Sequence, residues 1–173
     1  MKQHHVFSFL QRMGKSFMLP IAVLPVAGIF LGVGSSLTNE TTIAALHLES
    51  VLGQGTFLYS VLILLKQVGK VLFDNLPLIF AVSIALGMSK RRKEVAALAA
   101  IIAFFVMHAT INTLLCLDGS IVNGVVSNYI LDGSITSVCG MLSLEMGVFG
   151  GIVVGLGVSY LHNHFYQIQL PNV

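Results

Sequence analysis

From Phe17 to Leu37 (FMLPIAVLPVAGIFLGVGSSL) the chain carries no charge. About 20 consecutive apolar residues suffice to cross a bilayer core as a helix. In lipid, backbone N–H and C=O groups must be satisfied within the segment, so a run like this has few solutions other than a spanning helix. Pro20 and Pro25 lie inside it and predict a kink, which membrane helices tolerate where neighbours satisfy the freed carbonyls. Lys2, Arg12 and Lys15 precede the run, and no small-residue cleavage site follows at the right distance; the pattern predicts a retained first span rather than a cleaved signal. Composition points the same way. Of 173 residues 55% are hydrophobic and 9% charged, against about 25% charged in an ordinary soluble domain.

Three further spans follow. Phe57 to Met88 is mostly apolar but interrupted by Lys66, Lys70 and Asp74, whose i, i+4, i+8 spacing places them on one helix face. A charged stripe is costly at the bilayer centre and comfortable at its surface. The pattern therefore predicts an interfacial amphipathic helix at about Phe57 to Phe73 and a second span from about Val71 to Met88, entered through Asp74-Asn75-Leu76-Pro77. A single long tilted helix is the alternative. Val95 to Leu115 is the third span and Met146 to Tyr166 the fourth, with Pro171 beyond it. Thr38 to Gly55 reads as a loop with a short helical piece around Ile43 to Leu52. Cys116 to Glu145 reads as a long polar stretch.

The basic residues fix an orientation. They precede span one and fill Ser89 to Glu94 (SKRRKE), whereas the loops Thr38–Thr56 and Cys116–Glu145 contain neither Lys nor Arg. The positive-inside rule then places both termini and the basic loop in the cytoplasm. The expectation is an all-α integral membrane fold of about four transmembrane helices plus an interfacial amphipathic helix.

Gly28 and Gly32 share a face of span one, and Gly147, Gly151 and Gly155 recur every four residues in span four. Such faces let another backbone approach closely, either within the chain or at a subunit interface. His108 and Asn112 sit one turn apart in span three, as Lys70 and Asp74 do earlier. Near membrane boundaries such polar groups snorkel to water or bond to a neighbouring helix. Cys116 and Cys139 show neither a CxxC spacing nor a metal-ligand pattern. His4, His5, His162 and His164 form no ligand set with nearby Cys or carboxylates, so no metal and no cofactor is expected. The net charge of +2 is too small and scattered for a nucleic-acid surface. No phosphate loop, GxSxG elbow or HExxH helix occurs; Gly14-Lys15-Ser16 lacks the glycine and strand that a phosphate loop requires. Nothing in the chain forms a catalytic constellation.

Three stretches, in order, resemble a known family. They are Phe9-Leu10-Gln11-Arg12-Met13-Gly14-Lys15-Ser16-Phe17-Met18-Leu19-Pro20 running on through LPVAGIFLGVGSS, then Asn75 to Gly87 (NLPLIFAVSIALG), then Gly147 to Gly155 (GVFGGIVVG) followed by HNHFYQIQLP. Together they resemble enzyme IIC, the sugar-transporting membrane subunit of the bacterial phosphotransferase system, in its glucose/maltose superfamily. The long loop before span four is similar to that of the maltose/glucoside-type members. The resemblance implies a multi-pass permease of the bacterial cytoplasmic membrane that moves a sugar inward. Phosphate passes to that sugar from a phosphocysteine on a cytoplasmic enzyme IIB domain. It also implies that the sugar is held mainly by the second half of the membrane domain, including a His and a Glu in a Gly-Ile-Thr-Glu-Pro-like stretch, while the first half builds the scaffold and the homodimer interface.

This sequence contains no Thr-Glu-Pro, and neither Cys116 nor Cys139 has the Thr-Arg-Leu-Arg surroundings of that phosphocysteine. No sugar contact and no phosphorylation site is therefore carried onto it. Residues 1–173 are expected to be the N-terminal, scaffold part of an enzyme IIC, without the second half or the IIB domain, and inactive alone. The glycines 28, 32, 147, 151 and 155 are its candidates for helix packing or dimerisation. The alternative expectation is a small independent four-helix membrane protein with a structural or regulatory role.

Overall fold

A computed structural model describes residues 2–127 and 133–166, with side chains from Val6 onward. Pro171, the end of HNHFYQIQLP and the side chains of His4 and His5 lie outside the described residues. The helices are α1 (Lys2–Ser16), α2 (Met18–Leu37), α3 (Glu40–Ala45), α4 (Glu49–Leu52), α5 (Phe57–Asp74), α6 (Leu76–Met88), α7 (Lys93–Leu117) and α8 (Gly147–Phe165). Between α7 and α8 lie four short strands, β1 (Ile121–Val122), β2 (Val125–Val126), β3 (Ile135–Val138) and β4 (Met141–Leu144). Two helical stretches, Val6–Leu37 and Lys93–Leu117, are long and apolar enough to cross a membrane, and α5 with α6 qualifies as a third if the two form one broken span. In α8 the glycines and the His162-Asn163-His164 end dilute an otherwise apolar sequence. The helix carries on through Pro25.

The chain divides into two compact units. In the one formed by Ile21–Asp74, Asn39 caps α3 by accepting the Thr41 N–H at 3.0 Å, satisfying one orphan donor of the first turn. Ile43, Leu52 and Leu62 make its core, with Leu37, Leu48, Tyr59 and Leu65 packed around them. Glycines let α2 and α5 meet backbone to backbone: a Cβ on Gly69 would lie 2.8 Å from Ala27 O, and one on Gly34 would lie 2.8 Å from Lys66 Cα. Lys70 and Asp74 pair at 2.6 Å on the expected face of α5, each about half exposed. An exposed i,i+4 pair contributes only about 0.3–0.5 kcal/mol.

The other unit, Met1–Pro20 with Asn75–Val173, is built on α6. Asn75 precedes the helix and Pro77 sits in its first turn, where the missing N–H costs nothing. Ala81, Ala85, Ala96 and Ala100 are all fully buried. Around them lie Phe104, Val138 and Val154 at one end and Val82 and Val158 at the other. Side chains this small bring helix axes close, which suits association in lipid, where no hydrophobic force acts between helices.

The strands correct two sequence expectations, that the chain is all-α and that Cys116–Glu145 is a plain polar stretch. β1 pairs with β2 through Val122↔Val125, across Asn123 (φ 52°) and Gly124 (φ 76°). β3 pairs with β4 through Val138↔Met141, across Cys139 (φ 49°) and Gly140 (φ 83°). Two-residue loops with both central residues at positive φ are the type I′ turns that match strand twist. The second hairpin is fastened to α7. His108 Nδ1 meets Ser143 Oγ at 2.7 Å, with both residues buried, and Asn112 Nδ2 donates to Leu142 O at 2.6 Å. The polar pair expected to snorkel or to bond to a helix thus bonds to a strand instead. At the turn, Cys139 Sγ donates to Asn75 Oδ1 at 3.4 Å.

Removing one partner of a buried hydrogen bond strands the other, at a cost of about 1–3 kcal/mol. Ser143→Ala is expected to lower the thermal midpoint of the detergent-purified protein, and Ser137→Ala, at an exposed position of β3, is expected to leave it unchanged. Both cysteines are free, Cys116 exposed and Cys139 half-buried, and burial pushes the Cys139 thiol above its ordinary pKa. Only the thiolate reacts. Maleimide labelling of Cys139 should therefore lag behind that of Cys116 at neutral pH and climb as pH rises past the usual thiol range, as read by mass spectrometry of the labelled protein.

Candidate functional site at the basic end of the bundle

The five glycines singled out in the sequence do three different things. A Cβ on Gly151 would collide with the carbonyl of Pro77, and one on Gly155 would lie 2.7 Å from Ala81 O and 2.8 Å from Ile84 Cβ. These two glycines bring α8 onto the backbone of α6. Gly147 instead starts α8 at φ 51°, its N–H donating to Glu145 Oε1 at 3.0 Å. A Cβ on Gly28 or Gly32 would meet nothing within 4 Å, and the neighbouring Ile29 and Val33 are exposed. The close-packed glycines 34, 69 and 87 were not foreseen. Gly87 takes the side chain of Ser16 from α1 against α6.

At the charge-dense end, α6 stops at Met88 and α7 starts at Lys93. The connection between them is held by the last turn of α8. The Lys90 N–H donates to Asn163 Oδ1 at 2.8 Å, and Asn163 Nδ2 donates to Met88 O at 3.0 Å. His162 Nε2 lies 2.8 Å from Arg91 O, so that nitrogen carries the proton, because a carbonyl only accepts. One amide side chain therefore satisfies both a donor and an acceptor freed where α6 ends. The SKRRK segment is a fixed turn, with Arg92 at φ 46°.

Beside this clasp lies a cavity of about 670 Å³ between α1, the α6–α7 connection and α8. Arg12, Lys90, Asn163 and His164 contribute to its polar lining, and Phe9 and Leu156 to its apolar lining. Among the described residues no carboxylate lines it. Among the described residues it contains no pairing of nucleophile with base and no acid–base couple. Sequence reading marked Arg12 and Lys90 only as orientation signals and missed Asn163. The one available signal was an amide placed directly after the apolar run of span four.

Comparison with known proteins gives a family. The family model described as "Phosphotransferase system, EIIC" matches residues 14–173. Among curated proteins, the PTS system glucose-specific EIICBA component of Staphylococcus saprophyticus is 37% identical over 167 residues, covering 96% of this chain. The chain spans only 23% of that relative's length. The relative's name says glucose, so it lends no support to the maltose/glucoside leaning drawn from the long loop. A family match running over residues 14–173, together with apolar helices of membrane-spanning length, has one consequence: the chain belongs to the phosphotransferase-system EIIC family.

Proposed function

We propose that this chain is the scaffold part of a sugar-translocating enzyme IIC, working with sequence outside these 173 residues. The observation that carries the reading is the family match over residues 14–173, joined to its limited reach over the curated relative. In the full transporter the substrate is a sugar, and a phosphocysteine on an enzyme IIB domain phosphorylates it as it enters. The sugar contacts come from a second half of the membrane domain. Carriers of this kind bind substrate between elements that move relative to one another. An alanine- and glycine-lined contact of α6, α7 and α8 suits the element that stays still.

In the membrane, α2, the stretch from about Val71 through α6 to Met88, α7 and α8 serve as four spans, with the earlier part of α5 lying at the interface and both termini and the Lys90–Lys93 turn in the cytoplasm. What supports this is the absence of Lys and Arg from Thr38–Thr56 and Cys116–Glu145 against their concentration before α2 and in Lys90–Lys93, and the amphipathic face carrying Lys66, Lys70 and Asp74. The protein pairs as a homodimer through Gly28 and Gly32, where the open space around both glycines leaves room for a second backbone.

Two experiments test this. Co-expression with a separately encoded second half of a related permease, in cells lacking their own sugar carriers, should give uptake coupled to phosphorylation only when both polypeptides are present. Tight sugar binding by residues 1–173 alone would contradict the scaffold role. Gly28→Leu with Gly32→Leu should abolish the dimer on cross-linking and light scattering without lowering the thermal midpoint; an unchanged dimer would place the interface elsewhere.

A further inference from the structure

We propose that the cavity at the basic end holds the headgroup of an anionic phospholipid, with the phosphate between Arg12 and Lys90. The proposal rests on the reading above that this end faces the cytoplasmic leaflet. Two cations from distant parts of the chain share a cavity that no carboxylate of the described residues lines. Neither makes an ion pair with any described residue; Lys70–Asp74 is the ion pair found among them. Like charges gathered beside apolar walls repel unless an anion joins them, and the attraction between them and that anion strengthens as water is excluded.

The rest of the neighbourhood fits a lipid better than a free anion. Phe9 and Tyr160, which also line the cavity, are 45% and 74% exposed, and Leu161 beside them is 54% exposed. Outward apolar and aromatic side chains at a helix end belong where headgroups give way to acyl chains. A ligand with a phosphate at one end and hydrocarbon at the other meets both parts of the lining at once. Basic pockets between membrane helices on the cytoplasmic side take lipid headgroups by this chemistry.

The test is native mass spectrometry and equilibrium binding on the purified chain, using short-chain phosphatidylglycerol, phosphatidylcholine, glycerol 3-phosphate and inorganic phosphate as separate probes. Phosphatidylglycerol should bind in preference to phosphatidylcholine. Arg12→Gln with Lys90→Gln should weaken it roughly 30-fold, because each side chain gives up a charge-assisted hydrogen bond to the phosphate. Lys15→Gln with Arg91→Gln, which removes two charges that do not line the cavity, should leave that preference within about threefold, since neither side chain contacts the phosphate and salt screens exposed charge at a distance. An equal loss in both pairs would overturn the site in favour of diffuse charge attraction. Binding of glycerol 3-phosphate or phosphate as tight as that of the lipid would overturn the lipid assignment. Thermal midpoints of both pairs in phosphatidylcholine micelles guard against misfolding, and Arg12→Lys, which keeps the charge, should retain binding if Arg12→Gln fails to fold. Labelling at position 91 of an Arg91→Cys variant in a Cys116→Ser, Cys139→Ser background, from either side of sealed vesicles, reports orientation separately. Labelling from outside would sink the topology while leaving the lipid measurement in detergent intact.

Discussion

The carbonyl oxygens of Pro77 and Ala81 sit where side chains on Gly151 and Gly155 would begin, and the unit built on α6 depends on that approach. Hydrophobic burial cannot hold helices together in a solvent as apolar as their own side chains, so close backbone packing and interhelical hydrogen bonds take its place. Once α8 lies on α6, Val154 joins Ala81 and Phe104 in one core. Val158 reaches the alanines that α6 shares with α7. The last turn of α8 then arrives where Asn163 can close the turn after Met88. One face of small residues thus sets the core in the middle of the bundle and the clasp at its basic end.

The far end is organised by polar bonds. His108 and Asn112 would be costly in lipid without partners, and a hairpin supplies both from β4. The basic end is fastened by the Asn163 and His162 side chains to backbone groups of the turn, so its cationic side chains take no part in the clasp. The fixed points of the bundle are thus internal, and its charge is presented at the surface.

The long elements were legible in the sequence because each is set by a local signal. An uncharged run marks α2, a charge cluster followed by an apolar run marks α7, and glycine spacing marks α8. The expected end of the interfacial helix at Phe73 falls one residue from the end of α5, but the second span expected from Val71 begins inside α5, because apolar residues run on through both helices. Asn123-Gly124 is a strong hairpin signal that was passed over, because a polar stretch between spans reads as loop when only hydropathy is weighed. The partners of the polar residues were not legible. Ser143 lies 35 residues from His108, and Asn163 lies 73 from Lys90, so neither bond leaves a trace in periodicity. The same limit applies to the glycines. Spacing identified a face for Gly28 and Gly32 as readily as for Gly151 and Gly155, but only coordinates separate the open face from the occupied one.

The measurement that bears most directly on this account compares Gly151→Val with Gly157→Val. Both lie in the same helix, and a Cβ at Gly157 would meet nothing within 4 Å. Thermal unfolding of the detergent-purified protein, followed by the monodisperse fraction on size exclusion, should show Gly157→Val near the parent and Gly151→Val strongly destabilised or aggregated. Equal tolerance of the two would mean that α8 does not rest on α6 through its glycines, and the account of the bundle would fail with it.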